Sequence, residues 1–485
     1  MFQPERGLNG RFCAVPLEVR KRASCTRLFY RIPSMRLLAF LLRTFDSTAW
    51  VKGGAVTVIM EVPTEDAAFG GELKAMSFTE VKEKLLNFLD PCSGKKTKFV
   101  SAPGRADFLN THQDYKGLPV VAVAVQLRCY SGGSLNQTDV VRFASLNLKE
   151  QSEDFRDEFS LDSIKLRGAG WFGDYARATF VSFSQVVHRA EGMDIALWSE
   201  VPIGSGLSSS ASLEVSIVKL ISSCLGLELS PREVAEIAYS AEHNIMGIPC
   251  GRLDQYSSAF GGIMKLETKP PFNVEELSAR DLVFVIAYSG EQRRITAIHP
   301  IRQEETNKAL RLLMDEAMLP EQLARKLGYN YYGPLWQNIT EEEINPYLGS
   351  LPKRLADRIL FTVKMQASTK SALELLREGQ PRLSHLDKVS SKDRLSALGN
   401  IMNYQHELLR DLYEASTPRL EELRNTLLQC GALGAKISGA GLGGSVIALV
   451  RDSSMAEAAK KSCIASGFPK TWISTPDQGA RVEEA

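Results

Sequence analysis

The chain has 485 residues and a formal net charge of +1, with 58 Lys and Arg balancing 57 Asp and Glu. This near-neutral balance gives no electrostatic footprint for nucleic acid or an acidic membrane. Its 44% hydrophobic content is that of a globular protein, and no segment reaches the roughly 18 apolar residues of a membrane span. The eight cysteines (13, 25, 92, 129, 224, 250, 430, 463) form no C-x-x-C pair, a pattern of reduced intracellular thiols rather than of a disulfide framework or zinc site.

Residues 1–72 are read as a basic extension. In its first 45 residues Arg6, Arg11, Arg20, Lys21, Arg22, Arg27, Arg31, Arg36 and Arg43 face only Glu5 and Glu18. Arginine-rich, acid-poor leaders include organelle transit peptides; a poorly ordered extension is the preferred reading. A globular text begins near residue 73. TKFVSAPGRADF reads as a strand running into a glycine turn, and LPVVAVAVQLRCYS as a long buried strand. Between them lies a polar cluster, Arg105, Asp107, Asn110, His112, Gln113 and Asp114. A loop on a rigid scaffold suits ligand contacts, although Asp and Asn serve ordinary turns equally well.

Gly204-Ser205-Gly206-Leu207-Ser208-Ser209-Ser210 leads into an apolar series, Leu213, Ile217, Leu220, Ile221 and Cys224, at helical spacing. A glycine-serine loop at a helix N-terminus offers unpaired N–H groups and the positive dipole end to an anion, and its hydroxyls suit Mg²⁺. No G-K-[ST] follows, so it is not a Walker A loop; on spacing alone, phosphate binding and a plain helix-capping turn stand level. Ser230-Pro231-Arg232-Glu233 then forms a capping box with proline at the first helical position. Val234, Ile237, Ala238, Ala241 and Ile245 mark its buried stripe, and Glu242 falls on that stripe. An inward carboxylate is costly unless compensated, which makes Glu242 a candidate Mg²⁺ ligand beside the oxygen-rich loop.

After residue 291 helical patterns dominate, as in NKALRLLMDEAM, ADRILFTVKMQASTKSALELL and SALGNIMNYQHELLRDLYEAS, separated by loops such as GYNYYGPLWQN. A second glycine loop, Ser438–Gly444, precedes the apolar run Ser445–Val450. With the strand after the glycines, this is no Rossmann site. Strand-helix alternation followed by helices closing with strands predicts an α+β protein of two lobes, with a ligand cleft between them.

Three loops in this order resemble the GHMP small-molecule kinases, and within them the galactokinases. APGRADFLNTHQDYKG (102–117) looks like the galactokinase signature, PIGSGLSSSASLE the ATP loop, and KISGAGLGG the third motif. NYQHELLRDLYEASTPRLEEL (403–423) is similar to a helical stretch more typical of galactokinases. The resemblance spans roughly residues 95–450. It implies a two-lobed GHMP kinase fold with residues 73–290 as the ATP- and sugar-binding N-terminal domain and 291–485 as the C-terminal domain. It also implies ATP as co-substrate and Mg²⁺ as cofactor.

Carried onto this sequence, Gly204 to Ser210 would hold the ATP phosphates, with Ser210 and Glu242 on Mg²⁺. Asp254 matches the catalytic aspartate and Gly251 its neighbouring glycine, while Arg105 matches the arginine beside the transferred phosphate. His112 and Asp114 match sugar ligands. Two positions depart from the pattern. Thr111 stands where galactokinases usually have Glu, a residue associated with the C6 hydroxyl, and His299 stands at a sugar-contacting Tyr. The expectation is therefore a cytoplasmic sugar-1-kinase, monomer or weak oligomer, acting on galactose, galacturonate or arabinose. Its rivals are a kinase-like sugar sensor without turnover, and a mevalonate or homoserine kinase, the latter disfavoured by Asp114 and the 403–423 stretch.

Overall fold

The structure is a computed structural model. It describes residues 16–22, 25–32, 47–52, 55–63, 76–89, 96–168, 170–279, 281–291, 295–378 and 393–484. The chain forms two compact units, Met1–Ala75 and Met76–Ala485. Within the first, four strands, β1 (Pro16–Arg22), β2 (Cys25–Ile32), β3 (Ser47–Lys52) and β4 (Ala55–Pro63), pair in the order β1-β2-β4-β3. The remainder of the basic extension lies outside the described residues.

In the second unit the longest strands are β5 (Lys98–Leu109) and β6 (Val120–Leu135). With β7 (Val140–Ser145), β8 (Arg156–Ser160), β9 (Met193–Ser199), β10 (Ile263–Leu266) and β11 (Val274–Leu277) they build one sheet, ordered β11-β10-β6-β9-β7-β8 with β5 on β6. A second sheet is formed by β12 (Val283–Tyr288), β13 (Gly434–Ser438), β14 (Ser445–Val450) and β15 (Thr471–Ser474), in the order β13-β14-β12-β15. The final strand, β16 (Arg481–Val482), returns to pair with β5. Both sheets thus draw strands from either side of residue 291.

Both faces of β6 are buried, which is why its sequence is continuously apolar rather than alternating. Val120 and Ala122 face one core, beneath the helices α1 (Asp174–Val187), α2 (Ser209–Cys224), α3 (Pro231–Ser240) and α4 (Leu253–Phe260). Val121, Val123 and Val125 face the other, against Phe284, Ile286, Ile447 and Leu449 of the second sheet. The far side of that sheet, Val285, Ala287, Val446 and Ala448, packs on Leu420, Leu423 and Leu427 of α7 (Pro418–Gln429). The helix-rich segment after residue 291 includes α5 (Ile295–Glu316) and α6 (Lys353–Glu378). Among the described residues no helix is long and apolar enough to cross a membrane.

Two local expectations are modified. The turn expected at Gly104 is a register shift inside an unbroken β5, between Pro103 and Arg105. A Cβ at Gly104 would sit 2.6 Å from the Leu207 carbonyl oxygen, so the glycine serves close approach to the serine loop. The helix after the serine loop also begins earlier than its apolar series, at Ser209, with Ser209, Ser210 and Ser212 in its first turn.

Candidate active site

Asp254 lies in the first turn of α4. Its Oδ1 accepts hydrogen bonds from Arg105 Nε at 2.9 Å and Nη2 at 2.7 Å, and its Oδ2 accepts one from Ser208 Oγ at 2.5 Å. Arg105 Nη1 reaches the Gly206 carbonyl at 2.6 Å, while Asp107 Oδ1 lies 3.2 Å from Nε. Burial opposes the Arg105 charge, but Asp107 and Asp254 outweigh it and hold the guanidinium above its ordinary pKa. The planar fork suits this task, since a single ammonium cannot span two partners in one plane.

The serine loop is shaped for an anion. Gly204 and Gly206 have φ of 73° and 85°, and Ser208, the residue capping α2, is left-handed at φ 61°. Ser208 makes no side-chain cap: its backbone is left-handed rather than extended, and its hydroxyl is turned to Asp254. The first N–H groups of α2 therefore receive no side-chain acceptor from their cap, a phosphate-binding arrangement. The loop is braced by Ser205 Oγ on Pro202 O at 2.8 Å and by Ser445 Oγ on Ser205 O at 2.8 Å, so Ser445, which closes the second glycine loop, supports it.

Glu242 is buried, as its place on the stripe predicted, and sits in a π-helical turn (Ala241–Ile245) that continues α3. Its carboxylate takes a hydrogen bond from Gln255 Nε2 at 2.6 Å, with the Ser210 and Cys250 side chains beside it. Burial, followed by the charge of Asp254, raises its pKa. Ser210, Glu242 and Asp254 thus share one neighbourhood. No group of three or more His, Cys, Asp or Glu among the described residues forms a metal cage. A hydroxyl and a carboxylate supply two hard oxygens, which fits Mg²⁺ completing its shell with phosphate and water.

The segment 110–117 carries the residues expected to contact a sugar. His112, at φ 64°, has Nε2 2.9 Å from Ala440 O; a carbonyl only accepts, so Nε2 carries the hydrogen. The His112 ring is 4.8 Å from Tyr413 and 5.0 Å from His299, and Tyr115 lies 5.6 Å from His299. His299, on α5, is thereby brought to this loop. Tyr115 and Tyr413 join hydroxyl to hydroxyl, fixing the 403–423 stretch to the loop. Asp114 is half-buried, and a Cβ on Gly251 would come within 3.0 Å of its Oδ2, so Gly251 leaves space beside it. Burial and then the charge of Asp107 raise the Asp114 carboxyl to about 6. Thr111 Oγ1 accepts from Lys436 Nζ at 2.8 Å; this lysine is fully buried, and burial lowers it to about 8.

Sequence reasoning passed over Glu214, Gln255 and Lys436. Glu214 lies four residues after Ser210, on the same helical face, and that spacing was the available signal. Gln255 and Lys436 had none, because their partners are distant in sequence.

Comparison with known proteins follows this geometry. Three family models match in order: the galactokinase galactose-binding signature at residues 90–134, the GHMP kinases N terminal domain at 174–262, and the GHMP kinases C terminal at 388–469. A galactokinase of Thermococcus kodakarensis is 28% identical over 356 residues, covering 72% of this chain and 89% of that protein. A mevalonate kinase of Thermococcus onnurineus is also 28% identical, over 388 residues, covering 79% and 98%. The crystal structure of Lactococcus lactis galactokinase complexed with galactose superposes with a TM-score of 0.67 at 23% identity, covering 83% of this chain and 99% of that one. The fold is therefore the two-lobed α+β fold of these enzymes, and the chain is similar to the GHMP kinases, with a match to the galactokinase galactose-binding signature over residues 90–134.

Proposed function

We propose that this chain is an ATP-dependent sugar-1-kinase that transfers the γ-phosphoryl group to the anomeric hydroxyl of galactose or a close relative, giving the sugar 1-phosphate and ADP. The observation that carries the reading is Asp254, held on one oxygen by Arg105 and on the other by Ser208 of the serine loop. This joins an acidic group to a phosphate-binding helix start, with the sugar-loop Asp114 beside Gly251. Phosphoryl transfer asks chiefly for positioning and charge neutralisation. Asp254 orients the anomeric hydroxyl and receives its proton as the oxygen–phosphorus bond forms and the bond to the ADP oxygen breaks. Arg105 holds Asp254 through two hydrogen bonds and faces the transferred group, while the loop amides of 204–210 stabilise charge on the phosphates. Ser210 and Glu242 would hold Mg²⁺, which neutralises phosphate charge when bound.

A second reading concerns the sugar. The Thr111 hydroxyl accepts from Lys436, so its own hydrogen is available as a donor where a carboxylate would only accept. A donor backed by a cation favours an acceptor at C6, as in galacturonate, and tolerates its absence, as in arabinose. ADP release across hexoses, uronates and pentoses tests both readings. Turnover with no sugar would leave a sensor as the better description, and a galactose preference of several orders of magnitude would remove the C6 argument. Asp254→Asn is expected to lower kcat by about 100-fold or more with sugar binding nearly retained.

A further inference from the structure

Two buried carboxylates, Glu214 and Glu242, flank one neutral side chain. Gln255 Nε2 lies 2.6 Å from Glu242 Oε2 and 3.4 Å from Glu214 Oε2. A primary amide nitrogen has two hydrogens, so each carboxylate takes one. Glu214 and Gln255 are fully buried, and Glu214 Oε1 and Gln255 Oε1 have no hydrogen-bond partner among the described residues. No Lys, Arg or His among the described residues bridges either carboxylate. Such an acid pair, without a side-chain cation, relies on its hydrogen bonds for a defined orientation.

Three elements meet here. Glu214 comes from α2, one turn beyond Ser210. Glu242 comes from the π-helical turn after α3, where the wider backbone spacing alters the register of the stripe. Gln255 comes from the first turn of α4, next to Asp254. Successive helical residues point about 100° apart, so Asp254 meets Arg105 and Ser208 while Gln255 meets the two glutamates.

We propose that Gln255 is a positioning residue that fixes Glu242 in its metal-holding orientation and ties it to the turn bearing Asp254, with Glu214 anchoring the amide from the far side. This deepens the reading above and rests on Glu242 being a metal-holding group. Gln255→Met keeps the volume and removes both donors; Gln255→Asn keeps an amide that is one methylene too short. For each, Mn²⁺ binding to the protein–ADP complex is measured by the loss of the free-ion electron paramagnetic resonance signal, with galactose binding by calorimetry as a check on the intact sugar site. Both variants should weaken Mn²⁺ by about tenfold, the lower end for partners that orient metal ligands. The Mg²⁺ concentration for half-maximal rate should rise in parallel, with kcat at saturating Mg²⁺ within a few-fold of the parent. Mn²⁺ binding at parental strength in a folded Gln255→Met or Gln255→Asn protein overturns the proposal. Glu242→Gln separates the two ideas: if that variant also binds Mn²⁺ normally, the assignment of Glu242 itself has failed.

Discussion

Asp114 shows how an environment suited to the proposed sugar contact opposes stability. Its carboxyl titrates near 6 because burial and then the Asp107 charge disfavour ionisation. Only the ionised form accepts two sugar hydroxyls at once. The rate constant kcat/KM for the sugar should therefore fall as pH drops through about 6, approaching tenfold per unit, and Asp114→Asn should flatten that limb at a low rate. A profile flat down to pH 5 would detach Asp114 from sugar recognition. Stability runs the other way. The folded pKa lies above the unfolded value, so the native state binds the extra proton between roughly 4 and 6. This group's contribution to stability is then present at low pH and lost as pH rises through about 6. Asp114→Asn is accordingly expected to raise Tm at pH 7 while abolishing most activity. Thermal melts at pH 4.5 and 7 check the sign.

Elements differ in how plainly the sequence announces them. The capping box at Ser230 is present, with Glu233 Oε2 accepting from Ser230 N at 2.8 Å, and the Ser438–Gly444 glycines do connect a hairpin, β13 to β14. Both rest on local chemistry, where side-chain spacing and backbone conformation are linked directly. The bulge at Gly104 was read as a turn because its cause lies elsewhere, in the Leu207 carbonyl over a hundred residues away. The π-helical turn at 241–245 had no signal, since an i→i+5 ladder leaves no side-chain period to read. The site divides the same way: Asp254 and Ser210 follow from motif resemblance, whereas the Ser208–Asp254 bond and the Gln255 bridge are products of packing. Gly104→Ala tests the packing claim. Its Cβ would meet the Leu207 oxygen at 2.6 Å and Val201 Cγ1 at 3.0 Å, and a backbone carbonyl cannot swing aside as a side chain can. Arg105 N also donates to Leu207 O at 3.1 Å, so the clash falls on the contact that registers β5 against the serine loop. Overpacking of this kind costs about 1–3 kcal/mol. Chemical denaturation should show that loss, and KM for ATP should rise more than KM for the sugar; equal shifts in both would argue against a loop-specific effect.

At the scale of the whole 76–485 unit, the chain's last described segment closes the structure onto the active-site helix. After β15 it returns to the first sheet, where Gly262 N donates to Asp477 O at 2.6 Å, Ala480 N to Ala259 O at 3.2 Å, and Glu483 N to Phe99 O at 2.8 Å. Gly261 and Gly479 are pressed so closely that a Cβ on Gly261 would meet Gly479 N at 2.0 Å. Arg128, at 2% exposure, holds this segment from β6: Nη1 donates to Asp477 Oδ2 at 2.5 Å and Gln478 O at 2.9 Å, Nη2 to Gly479 O at 2.9 Å, and Nε to Ser101 Oγ at 2.7 Å. Replacing it with methionine fills similar space but strands Asp477 and two carbonyls, and breaking a buried pair of this kind costs about 3 kcal/mol. The denaturation midpoint of Arg128→Met should fall with its slope unchanged. Because the segment grips the C-terminal end of α4, amide exchange at residues 258–262 should accelerate more than at 215–222 of α2, and kcat should fall through Asp254 although Arg128 lies outside the site. Uniform acceleration across both helices would mean that Arg128 supports only global stability, and that the returning segment does not hold the active-site helix in place.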